Sequence, residues 1–83
     1  MQLRYFAWVR EKLGCEHETI QLPQNVTTIK ELINHLASRD EIYGSVFGQI
    51  EAIRAAKNDE LVAPDTPIND TDDIALFPPM TGG

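Results

Sequence analysis

Thr28-Ile29-Lys30-Glu31-Leu32-Ile33-Asn34-His35-Leu36-Ala37 decides the class of the fold. Thr28 and Glu31 stand three apart as a capping box, and Ile29, Leu32, Ile33, Leu36 and Ala37 fall on one face of a 3.6-residue period. The spacing predicts one amphipathic helix, fraying through Ser38 to Tyr43 before Gly44 and Gly48 break the pattern. Upstream, residues 2–9 set Leu3, Tyr5, Ala7 and Val9 against Gln2, Arg4, Phe6 and Trp8, the alternation of a strand with one apolar face. Val9 and Leu13, four apart and followed by Gly14, also allow a short helical turn over about Trp8–Leu13. Residues 16–22, closed by Pro23, read as a second strand. Downstream, Ile53–Lys57 and Glu60–Val62 flank a hairpin turn at Asn58-Asp59. Turn-rich segments around Pro64–Pro67 and Asn69–Asp72 lead to a last strand, Asp73–Phe77. Strands, a helix and more strands make an α+β layer fold, one main helix covering a mixed sheet of four to five strands.

The chain has 83 residues, room for a single domain with one small core. Its apolar runs, such as Tyr5–Val9 and Ile74–Phe77, are far too short to cross a bilayer, so a soluble cytoplasmic protein without a membrane role is expected. A single cysteine, Cys15, makes no internal disulfide, and His17 and His35 lack metal-ligand spacing. The formal net charge of -6 repels phosphate backbones and argues against nucleic acid as a partner. All seven Lys and Arg lie in residues 1–57, where seven acids balance them. The whole excess falls on Asp59, Glu60, Asp65, Asp70, Asp72 and Asp73, an acidic end that would steer a basic partner. That run lacks the loop length and terminal glutamate of an EF-hand, so a solvated turn is expected rather than a calcium site.

After Phe77 the chain changes character. Pro78-Pro79 cannot donate ladder hydrogen bonds, and Met80-Thr81-Gly82-Gly83 offers little to bury, which predicts a domain over residues 1–77 and a flexible tail over 78–83. A bare terminal Gly-Gly is a fraying end. Behind a strand and a rigid proline pair, it is also a shape that enters a channel too narrow for any residue with a Cβ. What it delivers is the Gly83 carboxylate, ionised at neutral pH and unreactive until activated, for instance as an acyl-adenylate. Cys15 has no His or Arg beside it to lower its thiol pKa and reads as a small half-buried residue. His17 and His35 read as solvated surface, and Trp8 as either core anchor or interface.

The stretch Asp70–Gly83, with Phe-Pro-Pro, a two-residue spacer and Gly-Gly, resembles the C-terminus of the small, sulfur-carrier subunit of molybdopterin synthase, in the ThiS-like, ubiquitin-like family. Tyr5-Phe6-Ala7 followed by Val9-Arg10-Glu11 is similar to that family's opening, and Thr28–Leu32 to its helix start. Thr71 and Met80 depart from the glycine and the smaller aliphatic usual there. The resemblance implies a β-grasp fold. It further implies a ubiquitin-activating-type adenylyltransferase that uses ATP to adenylate Gly83, and a sulfur donor that makes the thiocarboxylate. It also implies a large synthase subunit that spends the sulfur on cyclic pyranopterin monophosphate, typically in a heterotetramer, with no cofactor held permanently by the carrier itself. Met80, Thr81 and Gly82 would then be the residues inserted with Gly83.

In a β-grasp sheet the first and last strands are neighbours. If Leu3, Tyr5, Ile74 and Leu76 face the helix, Phe6 and Phe77 face away. They are expected to form an exposed docking patch, with Leu61 as a third member. Besides the molybdopterin role, a thiamine-pathway or other sulfur carrier, a ubiquitin-like modifier joined to lysines through the same glycine, and a plain interaction module use the same features.

Overall fold

The computed structural model describes residues 1–79. Strand β1 (Gln2–Tyr5) leads into helix α1 (Ala7–Leu13), strand β2 (His17–Thr19), helix α2 (Ile29–Ala37), helix α3 (Glu41–Phe47), a 3₁₀ turn (Ile50–Ala52), and strands β3 (Arg54–Lys57), β4 (Glu60–Val62) and β5 (Asp73–Phe77). The sheet order is β2-β1-β5-β3-β4, with β1 and β5 parallel and the other pairs antiparallel. This is the β-grasp arrangement, with the last strand in the centre.

Helix α2 starts at the expected cap. Thr28 Oγ1 accepts from the Glu31 N–H at 3.2 Å, but the Glu31 carboxylate reaches back one residue further than a capping box requires, to the N–H and hydroxyl of Thr27. Two further first-turn donors are satisfied from a distant segment, Ile29 N–H by Thr66 O and Lys30 N–H by Pro64 O. The end of β4 and the start of α2 are thereby locked together.

Two local expectations are corrected. The strand read over residues 2–9 stops at Tyr5, because Ala7 takes φ 55 and turns the chain out of the sheet into α1, where Val9 is buried by helical geometry. Helix α1 ends as expected at Gly14, in the left-handed region at φ 76. The segment expected to fray and break instead forms α3, capped by Asp40 Oδ1 on the Tyr43 N–H at 2.9 Å. Gly44 does not interrupt it. A Cβ there would lie 3.1 Å from the Ala37 carbonyl oxygen, so the bare glycine is what lets α3 approach the end of α2. Three helices, with α2 the longest, therefore cover the sheet.

The core joins Leu3, Tyr5, Ile74 and Leu76 from the sheet to Val9, Leu32, Ile33, Leu36, Val46 and Phe47 from the helices. The Tyr5 and Phe47 rings stand 6.2 Å apart. Asn58 and Asp59 both have positive φ, the backbone of the tight hairpin turn expected between β3 and β4. Thr71 does not require the left-handed region, which explains why a side chain is accepted in the turn before β5.

Candidate docking face and tail

Strand register fixes which side chains share the face that the helices leave uncovered. Leu76 pairs with Tyr5 and Ala55 on the core side, so Ala75 and Phe77 belong to the outer face. Along one row the outer face reads His17, Arg4, Ala75, Ala56, Leu61, and the next row sets Arg54 against Phe77. Leu61 is 73% exposed and Phe6 43%, while Phe77 is half-buried. Phe6 leaves the sheet beside the end of β5, its N–H donating to Leu76 O at 3.2 Å. The three expected docking residues thus lie on one side of the sheet. Phe6 and Phe77 sit at one end, and Leu61 stands apart from them across the low ground of Ala75 and Ala56.

Polar groups set the borders of that face. Arg4 spans it, donating through Nε to Asp73 Oδ1 at 2.9 Å and through Nη2 to Asp59 Oδ1 at 3.0 Å. Hydrogen bonds to Asp59 and Asp73 raise its already high pKa and hold it charged. Phe6 also walls a shallow depression of about 320 Å³ between β1, β2 and α1, shared with Arg4, Arg10 and His17. Arg54 was not singled out in the sequence. Its alternation with buried Ala55 was the available signal.

The acidic C-terminal end is less of a free field than its composition suggests. Asp72 is buried. Burial acts to raise its pKa, but the Asn69 N–H at 2.8 Å, the Asn58 amide at 3.0 Å and the Lys57 ammonium outweigh it and hold the carboxyl below the usual range. Asp70 accepts from the Leu22 N–H at 2.7 Å and from the Met1 ammonium, which likewise lowers it. Asp70, Asp72 and Asp73 therefore serve three different structural partners rather than one ion. Among the described residues no group of three or more His, Cys, Asp or Glu is placed to hold a metal.

The remaining candidates take structural places. Cys15 is half-buried against the core. His17 is exposed as expected, whereas His35 is half-buried rather than fully solvated. Trp8 packs partly on the core with the Lys12 ammonium 6.0 Å from its ring. One network escaped the sequence reading. Glu18 on β2 accepts from Tyr5 Oη at 2.6 Å, Tyr43 Oη at 2.8 Å and Arg39 at 2.8 Å, tying the sheet edge to α3. Burial opposes the Glu18 charge, yet these donors keep its pKa low, and burial beside the carboxylate pushes the Tyr43 hydroxyl up to about 12.

Pro78 and Pro79 follow β5 outside any strand. Met80, Thr81, Gly82 and Gly83, expected as the inserted tail, lie outside the described residues. No helix among the described residues is long and apolar enough to cross a membrane.

Similar proteins match this chain along nearly its whole length. The ThiS family model matches residues 3–83. The chain is 31% identical over 83 residues to the molybdopterin synthase sulfur carrier subunit of Escherichia coli, covering all of this chain and 99% of that protein. Among solved structures, SAMP1 of Haloferax volcanii superposes with a TM-score of 0.75 at 25% identity, covering 100% and 98% of the two chains. A complex of subunits 1 and 2 of the molybdopterin-converting factor from Helicobacter pylori holds a chain 29% identical, with a TM-score of 0.62 and coverage of 99% and 96%.

Proposed function

The chain belongs to the ThiS family, and from that premise we propose that it carries sulfur for molybdopterin synthesis on its Gly83 carboxylate. The observation that carries the reading is the end of β5. The central strand delivers Phe77 to the rim of an uncovered sheet face, and Pro78-Pro79 and the Met80-Thr81-Gly82-Gly83 tail follow directly. The relative named as a molybdopterin synthase sulfur carrier, matched over 99% of its length, supports the same reading.

The chemistry follows from the poor reactivity of a carboxylate, whose direct substitution would expel oxide. A Gly83 oxygen attacks the α-phosphorus of ATP in a ubiquitin-activating-type adenylyltransferase, and pyrophosphate leaves. A sulfide-level donor then attacks the acyl carbon of the adenylate, AMP leaves, and a thiocarboxylate remains. In the large synthase subunit the thiocarboxylate sulfur displaces an oxygen substituent at a carbon of cyclic pyranopterin monophosphate to form an acyl thioester. Water then hydrolyses the acyl–sulfur bond, leaving the sulfur on the substrate and the carboxylate on Gly83. A dithiolene needs two sulfurs and so two carrier turns, which fits a heterotetramer. In this cycle the chain supplies the activated group and the docking surface of Phe6, Phe77 and Leu61, while catalysis belongs to its partners and ATP is bound by the activating enzyme. On this reading the reaction runs in the cytoplasm. A thiamine-pathway carrier would use the same terminus.

The likeness to SAMP1, of the small archaeal modifier proteins, supports a second reading, conjugation to lysines through the same activated glycine. Intact mass of the protein purified from its native host separates them. One oxygen exchanged for one sulfur at the terminus is the expected result. Adducts on other proteins without that exchange would favour the modifier, and an unmodified terminus throughout would sink both.

A further inference from the structure

We infer that the groove beside the start of β3 is a second docking element, one that takes an acidic, apolar segment of the protein receiving the tail; this rests on the carrier reading. The groove, of about 400 Å³, is lined by Ile50, Ile53 and Pro64 with Lys30, Arg54 and Glu51 at its edges. Its walls are fixed by the lock between Lys30 N–H and Pro64 O at 2.8 Å.

Charge selects the occupant. Among the described residues, neither the Lys30 ammonium nor the Arg54 guanidinium lies within ion-pair distance of a carboxylate, whereas Arg4, on the same sheet, holds two. Among the described residues the Arg54 guanidinium donates to the Glu51 carbonyl oxygen alone, at 3.3 Å. The chain has a net charge of -6, yet this groove presents two cations against one carboxylate above an apolar floor. The complementary segment carries acidic side chains beside an apolar one. Position links the groove to the tail. Arg54 pairs across the strands with Phe77, so its side chain joins the row that bears the docking aromatic to the groove around the end of the sheet. A partner seated on Phe77 is one strand away from it.

The test is calorimetric binding of the cognate large subunit to the full-length chain and to Lys30→Ala, Arg54→Ala, the double alanine variant, the double glutamate variant and Phe77→Ala, at low and at high salt. Each single alanine change is expected to weaken binding by about three- to tenfold, charge reversal to weaken it more, and the double alanine variant to lose much of the salt dependence. Phe77→Ala should weaken binding and keep that dependence. Wild-type affinity and salt slope in the double alanine variant, with Phe77→Ala still weakened, would overturn the groove and leave the carrier reading intact. No binding by the wild-type chain would overturn the carrier reading and this one with it. Two rival occupants are read separately by NMR on the isolated chain. Shifts at Ile53 and Arg54 on removal of residues 80–83 would assign the groove to the chain's own tail, and shifts that grow with concentration to a second copy, and either result overturns the proposal.

Discussion

The N–H of Phe6 meets the carbonyl of Leu76 at 3.2 Å, so the first aromatic to leave the sheet does so beside the last strand. The bond joins the two ends of the sequence at one corner of the uncovered face.

If the carrier reading holds, Phe77→Ala is expected to cost about 2 kcal/mol or more of binding to the large subunit and to the proposed activating enzyme, as a buried interface anchor does. Its effect on Tm should be small, because Phe77 is half-buried and outside the core cluster. A stability loss of about 3–5 kcal/mol, the cost of truncating a core phenylalanine, would assign it to the core instead. Titration calorimetry and a melting curve on the same preparation decide between them.

On the proposed carrier reading, in which the Gly83 carboxylate reacts, appending one residue after Gly83 or deleting Gly83 should abolish sulfur transfer with the fold intact. Product formation by an extended chain shown to be untrimmed would reject the carrier role. Cys15→Ala should load sulfur normally, and failure to load at unchanged Tm would move the chemistry to the thiol.

Ala7→Gly should stabilise the protein. Alanine at φ 55 bears the left-handed penalty of about 1–2 kcal/mol, which glycine lacks, less the entropy glycine loses on folding. A net gain of about 1 kcal/mol would raise Tm by about 4–8 °C in a domain this size. Calorimetry showing a lower Tm would mean that the turn from β1 into α1 depends on the Ala7 methyl.

Acid sensitivity should centre on Asp72. Its folded pKa lies below the ordinary aspartate value, so its stabilisation is complete above the unfolded pKa of about 3.9 and is lost as pH falls through the lower folded value. Asp72→Ala leaves the Asn69 N–H and the Asn58 amide without their acceptor and is expected to cost about 1–3 kcal/mol at neutral pH. Urea titrations at pH 7 and near pH 2 should show the gap between wild type and variant narrowing in acid. A gap independent of pH would assign the loss to packing.

Local rules reached far into this chain wherever a single segment decided its own shape. The cap at Thr28, the turn at Asn58-Asp59, the glycine stop at Gly14 and the bounds of β5 all follow from side chains within a few residues. They failed where a neighbour from elsewhere decided. Gly44 is a helix breaker by propensity, yet a Cβ there would crowd the Ala37 carbonyl oxygen at 3.1 Å. The alternation through Ala7 and Val9 fits a strand, but Val9 reaches the core from a helix. Strand parity placed Phe6 and Phe77 on the outer face, because alternation is local once the core side is known, and Leu61, added as a third candidate, lies on the same face. Arg54 remained unseen because its place beside Phe77 and the groove, without a carboxylate partner among the described residues, is a property of the assembled surface.

The strand that bears the tail is the middle one of five, hydrogen-bonded to β1 on one side and β3 on the other. It is also the last to be synthesised, and it unites segments some seventy residues apart in sequence. A chain cut short before β5 has no central strand, so an unfinished or truncated copy lacks the sheet that partners would grip. Assembly of the outer sheet face is in this way conditional on the last strand being in place.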